Sequence, residues 1–385
     1  MNIASTPGMR TLNLALQGGG SHGAFTWGVL DALLADERIA LDGLSGASAG
    51  AVNAVALASG YAKALAAGHD PRRGARDSLA RVWGEISHWG TLGAMQQQMT
   101  SMLWGGLPPE LAPANIVTNA WRSLLSPYQS NPLDINPLRD LLEREIDFGA
   151  IASSHLKVFV SATHVNTGRA VIFTGHRLGA QAVMASACLP MLFQAVQIDE
   201  ESYWDGGYSV NPPLTPLIDA CASRDLMLIQ INPLKRDRVP ESPGEILDRI
   251  NELTFNAGLL TQMRSIDFIN RLIEEGTLRT GRCKHVLLHR IDGGADMANY
   301  PASSRNSTDA GMIGKLFELG QARGAMWLAH HFSALGQHGT VDIRRDYLDD
   351  TREEAVTAPT GRPRGFRPWL ARLFRRRKHA GETGN

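Results

Sequence analysis

Cysteine is scarce in this chain of 385 residues. Cys188, Cys221 and Cys283 are an odd, scattered set without the spacing of a metal site or a disulfide framework. A reducing, cytoplasmic compartment is the expectation. Net charge is missing as well. Lys and Arg total 38, as do Asp and Glu, so no global field draws the chain to nucleic acid, and none is expected as a partner. Long apolar runs are also absent. The nearest, 49–68, is interrupted by Asn53, Lys63 and several glycines. It reads as a buried helix, and no transmembrane span is expected. Met1–Arg10 is polar and carries Pro7 and Gly8, so it does not read as a secretion signal. No metal or cofactor is called for.

What is present is glycine at particular places. Gly46-Ala47-Ser48-Ala49-Gly50 is a G-x-S-x-G sequence, followed by a small, apolar run. It reads as a nucleophile elbow: a strand ends, the chain turns sharply, and a helix starts. Ser48 would then sit at a helix N-terminus, where amide groups and the macrodipole favour developing negative charge.

A second glycine turn precedes it. Leu12–Gln17 reads as a buried strand, then Gly18-Gly19-Gly20-Ser21-His22-Gly23, then a helix from about Ala24 carrying Thr26, Val29, Leu30 and Leu33. Such a loop aims amides at something anionic. One reading is a dinucleotide fingerprint of a nucleotide-binding oxidoreductase, which needs an acid on the next strand, with Asp42 in place. The other is an oxyanion hole, which needs a nearby nucleophile and finds Ser48.

Downstream, 156–162, 170–174, 226–232 and 285–291 read as strands. They alternate with helices at 137–146, 182–190, 245–276 and 314–332. In the third of these, Ile246, Ile250, Leu253, Ala257 and Leu260 form the expected packing stripe. Alternation of this kind predicts an α/β fold: a mostly parallel central sheet with helices on both faces. The 75–128 stretch differs. It holds Trp83, Trp89, Trp104 and Trp121, with Met95, Met99 and Met102 between them and prolines after. It reads as an irregular helical insertion, either a satellite core or a cap over an apolar pocket.

An elbow serine needs a base. His285, His289, His330 and His331 are candidates for a triad, and Asp205, in Asp205-Gly206-Gly207, is the alternative. Taken together, the glycine loop, the elbow and the Asp-Gly-Gly turn resemble the patatin-like phospholipase family, over roughly 12–219. Ser186–Pro190 and the Asn211-Pro212 pair also look like the family. The resemblance implies a three-layer sandwich, a Ser48–Asp205 dyad without a catalytic histidine, and an acyl lipid substrate such as a phospholipid or lysophospholipid. A catalytically silent lipid-binding or regulatory module on the same fold is the other reading. The family loop usually has Arg or Lys where this chain has His22, which shifts the expected oxyanion donors to the Gly19 and Gly20 amides.

The expected domains are a lead at 1–11, a catalytic domain at 12–219, an α/β extension at 220–340 and a charged tail at 341–385. Within the tail, 362–379 carries seven arginines and Lys378 without an acid. Trp369, Leu370, Leu373 and Phe374 share one helical face, and Arg372, Arg375, Arg376 and Arg377 lie around it. A short basic amphipathic helix of this kind suits an anionic membrane surface. The expected location is thus cytoplasmic, docked peripherally on the inner membrane face.

Overall fold

The computed structural model describes residues 8–103 and 126–348, apart from 133, 135, 237, 280–282, 299, 301–303 and 306. The chain divides into two units, Met1–Leu348 and Asp349–Asn385. The second, and with it the basic segment 362–379, lies outside the described residues.

Strand β1 (Arg10–Leu16) leads into helix α1 (Gly23–Ala35), and β2 (Ile39–Gly46) into α2 (Ala49–Ala66) and then α3 (Pro71–Leu103). The remaining strands are β3 (Lys157–His164), β4 (Ala170–Phe173), β5 (Val196–Ile198), β6 (Glu201–Asp205), β7 (Asp225–Gln230) and β8 (Leu287–Asp292). They form one sheet in the order β5-β6-β3-β2-β1-β7-β8, with β4 also paired to β3. The pairs along β3-β2-β1-β7-β8 are parallel, and the pairs β3-β4, β3-β6 and β5-β6 are antiparallel.

Both faces of the sheet are covered, and the period of two along each strand decides which residue goes where. Leu12, Leu14 and Leu16 of β1 join Met227 and Ile229 of β7 in the core formed with α1, α2 and α3. Ala15, Leu226 and Leu228 face the other way, into a second core with Leu259, Met263 and Ile266. The latter three belong to a long helix, Pro243–Glu274. This is the three-layer α/β architecture that the strand and helix alternation implies.

Four expectations need correction. In the Pro243–Glu274 helix, Ile246, Ile250 and Leu253 are about half exposed. The buried stripe is instead Glu252, Phe255, Asn256, Leu259, Met263 and Ile266. The chain's charged and amide side chains took this face because they bind polar groups beneath it, so apolarity alone chose the wrong stripe. The stretch from Ala75 is not the start of an insertion. Ala75, Leu79, Val82 and Trp83 are buried in the main core on a continuous α3. The Trp83 indole stacks on Trp27 at 6.2 Å and donates to Asn53 Oδ1 at 2.8 Å. Trp104 and Trp121 lie outside the described residues. The 182–190 helix spans Ala180–Ser186 and ends before Pro190. The tail does not begin at 341, because Ile343 and Tyr347 are buried and the Tyr347 hydroxyl donates to Gln230 Oε1 at 2.8 Å.

Candidate active site

Strand register brings the three glycine turns together. Leu16 pairs with Gly46, Gly46 pairs with Val160, and Ala162 pairs with Asp205. The chain therefore leaves β1, β2 and β6 at one end of the sheet, the carboxyl end of its parallel strands. Open α/β sheets bind ligands at that end.

Ser48 sits between β2 and α2 with φ 53° and ψ −127°. A non-glycine residue there carries strain of order 1–3 kcal/mol, which surrounding contacts must hold. They do so at Ser186: the Ser48 amide donates to the Ser186 carbonyl at 3.1 Å and to its hydroxyl at 2.9 Å. Ala47 is buried, Gly46 packs on the Gly50 backbone, and the Ala49 methyl lies against Gly23.

The glycine loop lies directly on this elbow. A Cβ at Gly18 would come within 2.7 Å of the Ser48 Cβ, so only glycine permits the approach. Asn211 fastens the loop: the Gly18 amide donates to Asn211 Oδ1 at 2.6 Å, and Asn211 Nδ2 donates to the Gly18 carbonyl at 3.2 Å. Asn232 Nδ2 donates to the same carbonyl at 2.8 Å. The Gly18 amide is therefore committed. It was among the expected oxyanion donors, and the amides of Gly19 and Gly20 are the remaining candidates at the start of the loop. These open a short helical turn, Gly20–His22, where no intrahelical acceptor exists for them. Gly20, at φ +57°, packs against the Arg305 carbonyl.

His22 is buried, donating or accepting with Ser304 Oγ at 2.8 Å and edge-on to Tyr300. Burial, with Arg305 and Arg236 nearby, depresses its pKa to about 3. The ring is neutral and brings no charge to the loop. Ser21 is buried beside it.

Asp205 ends β6, fully buried. Its amide donates to the Cys188 carbonyl at 2.8 Å, and its carbonyl accepts from Thr163 Oγ1 at 2.8 Å. Oδ1 accepts from the Gly207 amide at 2.7 Å. Oδ2 has no well-formed hydrogen bond. Burial pushes the carboxyl up to about 7, opposed by the neighbouring Ser48 hydroxyl and the Gly207 amide. Ser48 is thus a neighbour of Asp205, and one carboxylate oxygen is uncommitted. Gly206 rests on the Ser161 carbonyl and Gly207 on the Phe255 ring. The Ser186–Pro190 stretch now has a structural account, since Ser186 holds the nucleophile candidate and Cys188 the base candidate.

The candidate histidines are engaged elsewhere. His285 pairs with Glu274 at 2.9 Å. His289 is buried against Asp225 at 3.0 Å, and His330 bonds the Met326 carbonyl, with His331 beside it. Asp42 is engaged too. It lies in the first half of β2, away from the glycine loop, and bonds Lys157 and the amides of Ala222 and Ser223. A ribose would not find it there. Among the described residues no cluster of three or more His, Cys, Asp or Glu is placed to hold a metal ion.

The family model of patatin-like phospholipases matches residues 14–218. The chain belongs to that family. It is a lipid acyl hydrolase of the patatin-like type. None of the curated proteins matches it. Among solved structures it is similar to VipD from Legionella pneumophila, with 14% identity and a TM-score of 0.34 over 82% of this chain and 67% of that one. It is also similar to the ExoU-SpcU complex of the type III secretion system of Pseudomonas aeruginosa. There the identity is 14% and the TM-score 0.33, over 91% of this chain and 60% of that one.

Several residues that build the site fall beyond the patatin-like match. Gln17 Oε1 accepts from the amides of Ile231 and Asn232, and Gln17 Nε2 donates to Asn256 Oδ1. Asn232, Phe255, Asn256 and Arg305 escaped sequence reasoning. A polar residue ending the apolar run 226–232 was the one available signal, and it pointed to Asn232 alone.

Proposed function

We propose that Ser48 is the nucleophile and Asp205 the proton acceptor of a two-residue mechanism that cleaves carboxylic esters of phospholipids or lysophospholipids. The observation that supports it best is the buried Asp205 carboxyl, held near pKa 7 against a strained serine. A base is most effective when its pKa lies near the working pH. Desolvation supplies here what a histidine supplies in a triad.

In the first step Asp205 takes the Ser48 hydroxyl proton as Oγ attacks the ester carbonyl carbon. The oxyanion that forms is met by the Gly19 and Gly20 amides, fixed in advance by Asn211 and Asn232 holding Gly18. Collapse breaks the bond to the alcohol, which leaves with the proton from Asp205. Water then gives a proton to Asp205 and attacks the acyl-Ser48. The fatty acid departs and the proton returns to Ser48.

The surroundings suit an aggregated lipid. Met191 is 80% exposed, directly after the stretch that holds Ser48 and Asp205, and Leu192 and Tyr208 are also exposed. Ile246, Leu247, Ile250 and Leu253 leave a second apolar stripe open on the helix that carries Phe255. Among the described residues no helix is long and apolar enough to cross a membrane. Contact with a bilayer therefore falls to these side chains and to the basic segment 362–379. A lipid-panel assay of wild type, Ser48→Ala and Asp205→Asn tests the reading. Turnover in wild type and loss in both variants supports it. Turnover that survives either substitution would overturn it.

A further inference from the structure

Arg305 stands apart from the ion pairs around it. Its Nε is buried and has no hydrogen bond, and among the described residues the side chain joins no ion pair. The acids nearest it are Glu252 and Asp248. Glu252, almost fully buried, is held by Arg236 and by Arg249 at 3.1 Å. The contact Arg305 does make is with an aromatic face, its Cζ lying 5.8 Å from the Phe255 ring centre. Arg305 is half-buried, and an Nε shut away from water without an acceptor is costly, a cost that an anion on the guanidinium would relieve.

Its position says which anion. Ser304 bonds His22, and the Arg305 carbonyl and Cβ pack on Gly20. The Phe255 ring beneath the guanidinium packs on Gly207, two residues from Asp205. Arg305 is thus strapped between the glycine loop and the Asp-Gly-Gly turn. Gly18, which touches Ser48, lies only two residues from Gly20, at most about 7 Å along an extended chain. In a glycerophospholipid the phosphodiester is separated from the scissile ester by a few bonds of glycerol, a comparable reach. His22, being neutral, leaves the loop without a cation of its own.

We propose that Arg305 receives the phosphodiester of a glycerophospholipid whose acyl ester lies at Ser48, and so selects phospholipid over neutral acyl ester. The proposal rests on the hydrolase reading above for its ester. His22 then acts as an anchor, holding through Ser304 the backbone that carries the cation.

The test separates binding from turnover. Full-length Ser48→Ala protein is titrated with a monomeric short-chain diether phosphatidylglycerol, with the matching diether glycerol and with inorganic phosphate. Diether phosphatidylglycerol is expected to bind most tightly. Adding Arg305→Gln should weaken that ligand at least tenfold and the diether glycerol much less, and Arg305→Lys should recover part of the loss. In turnover by otherwise wild-type protein, Arg305→Gln should lower kcat/KM for dihexanoyl phosphatidylglycerol at least ten times more than for p-nitrophenyl butyrate. Equal losses on both ligands or both esters would overturn the proposal, placing Arg305 at the oxyanion or in the fold. So would inorganic phosphate binding as tightly as the lipid, which would mark a free-anion site. Binding is read without catalysis, so an inactive wild type would count against the hydrolase reading and leave the titration to decide this one.

Discussion

Gly18 and Asn211 hold each other by two hydrogen bonds of opposite direction, the Gly18 amide to Oδ1 at 2.6 Å and Nδ2 to the Gly18 carbonyl at 3.2 Å. One side chain thereby holds the peptides on both sides of Gly18, the second of which carries the Gly19 amide, a proposed oxyanion donor. Asn211→Asp keeps the acceptor but sets a carboxylate oxygen against the Gly18 carbonyl. It should lower kcat by roughly 10²-fold, the scale of a lost oxyanion contact, with a smaller change in KM. Steady-state kinetics on a soluble ester measures this. A change confined to KM would mean that Asn211 serves substrate binding instead.

Asp205 links activity to stability. Its folded pKa of about 7 lies above the unfolded value near 3.9. A raised carboxyl pKa adds stability that is complete below about pH 4 and is lost as pH climbs to about 7. At higher pH the buried charge costs on the order of 4 kcal/mol relative to an exposed carboxylate. Asp205→Asn should therefore abolish turnover and raise the Tm at pH 8, with little gain at pH 4. Wild-type kcat/KM on a soluble ester should rise with pH through about 7 as the base ionises. A profile flat from pH 5 to 8 would contradict the assignment.

His22 works in the opposite sense over much the same range. Its folded pKa of about 3 lies below the unfolded 6.5. Its contribution is present above pH 6.5 and lost as pH falls toward 3. His22→Arg would bury a permanent cation beside Arg305 and give up the Ser304 bond. The expected cost is on the order of 3 kcal/mol, read from denaturant midpoints at pH 7. Unchanged stability would mean that the neutral ring is not what this part of the loop requires.

Bilayer contact has two candidate sources. Removing residues after Thr360 should preserve hydrolysis of a soluble short-chain ester, weaken binding to anionic vesicles and slow turnover of vesicle substrate, more so at low salt. Leu247→Ser with Ile250→Ser should slow vesicle turnover at every salt concentration, because its contribution is apolar. Vesicle sedimentation with both variants separates the two. If neither changes, lipid must reach Ser48 by another surface.

The local parts of this molecule were legible because each is a contiguous turn. Glycine and serine spacing locates strand, bend and helix for the 18–23 loop and for Ser48 within a residue or two. Residues 205–207 were readable for the same reason. What stayed hidden is the polar scaffolding between distant segments. Ser186 reaches Ser48 across 138 positions and Asn232 reaches Gly18 across 214, and neither contact leaves a periodic trace. The Pro243–Glu274 stripe misled for a related reason. Its buried face carries Glu252 and Asn256, polar because they bind Arg236 and Gln17, while apolar residues stand outside. Arg305 lies in a polar stretch without pattern, and its meaning comes from what surrounds it in space.

The central claim is that Ser48 is the residue acylated. The most direct measurement is peptide mass spectrometry of the full-length protein after reaction with a fluorophosphonate probe, at pH 7.5 and at pH 5. One phosphonyl group on the peptide bearing Ser48, abolished by Ser48→Ala and strongly reduced at pH 5, is the result the account predicts. A stoichiometric adduct on another serine, or labelling that survives Ser48→Ala, would contradict it.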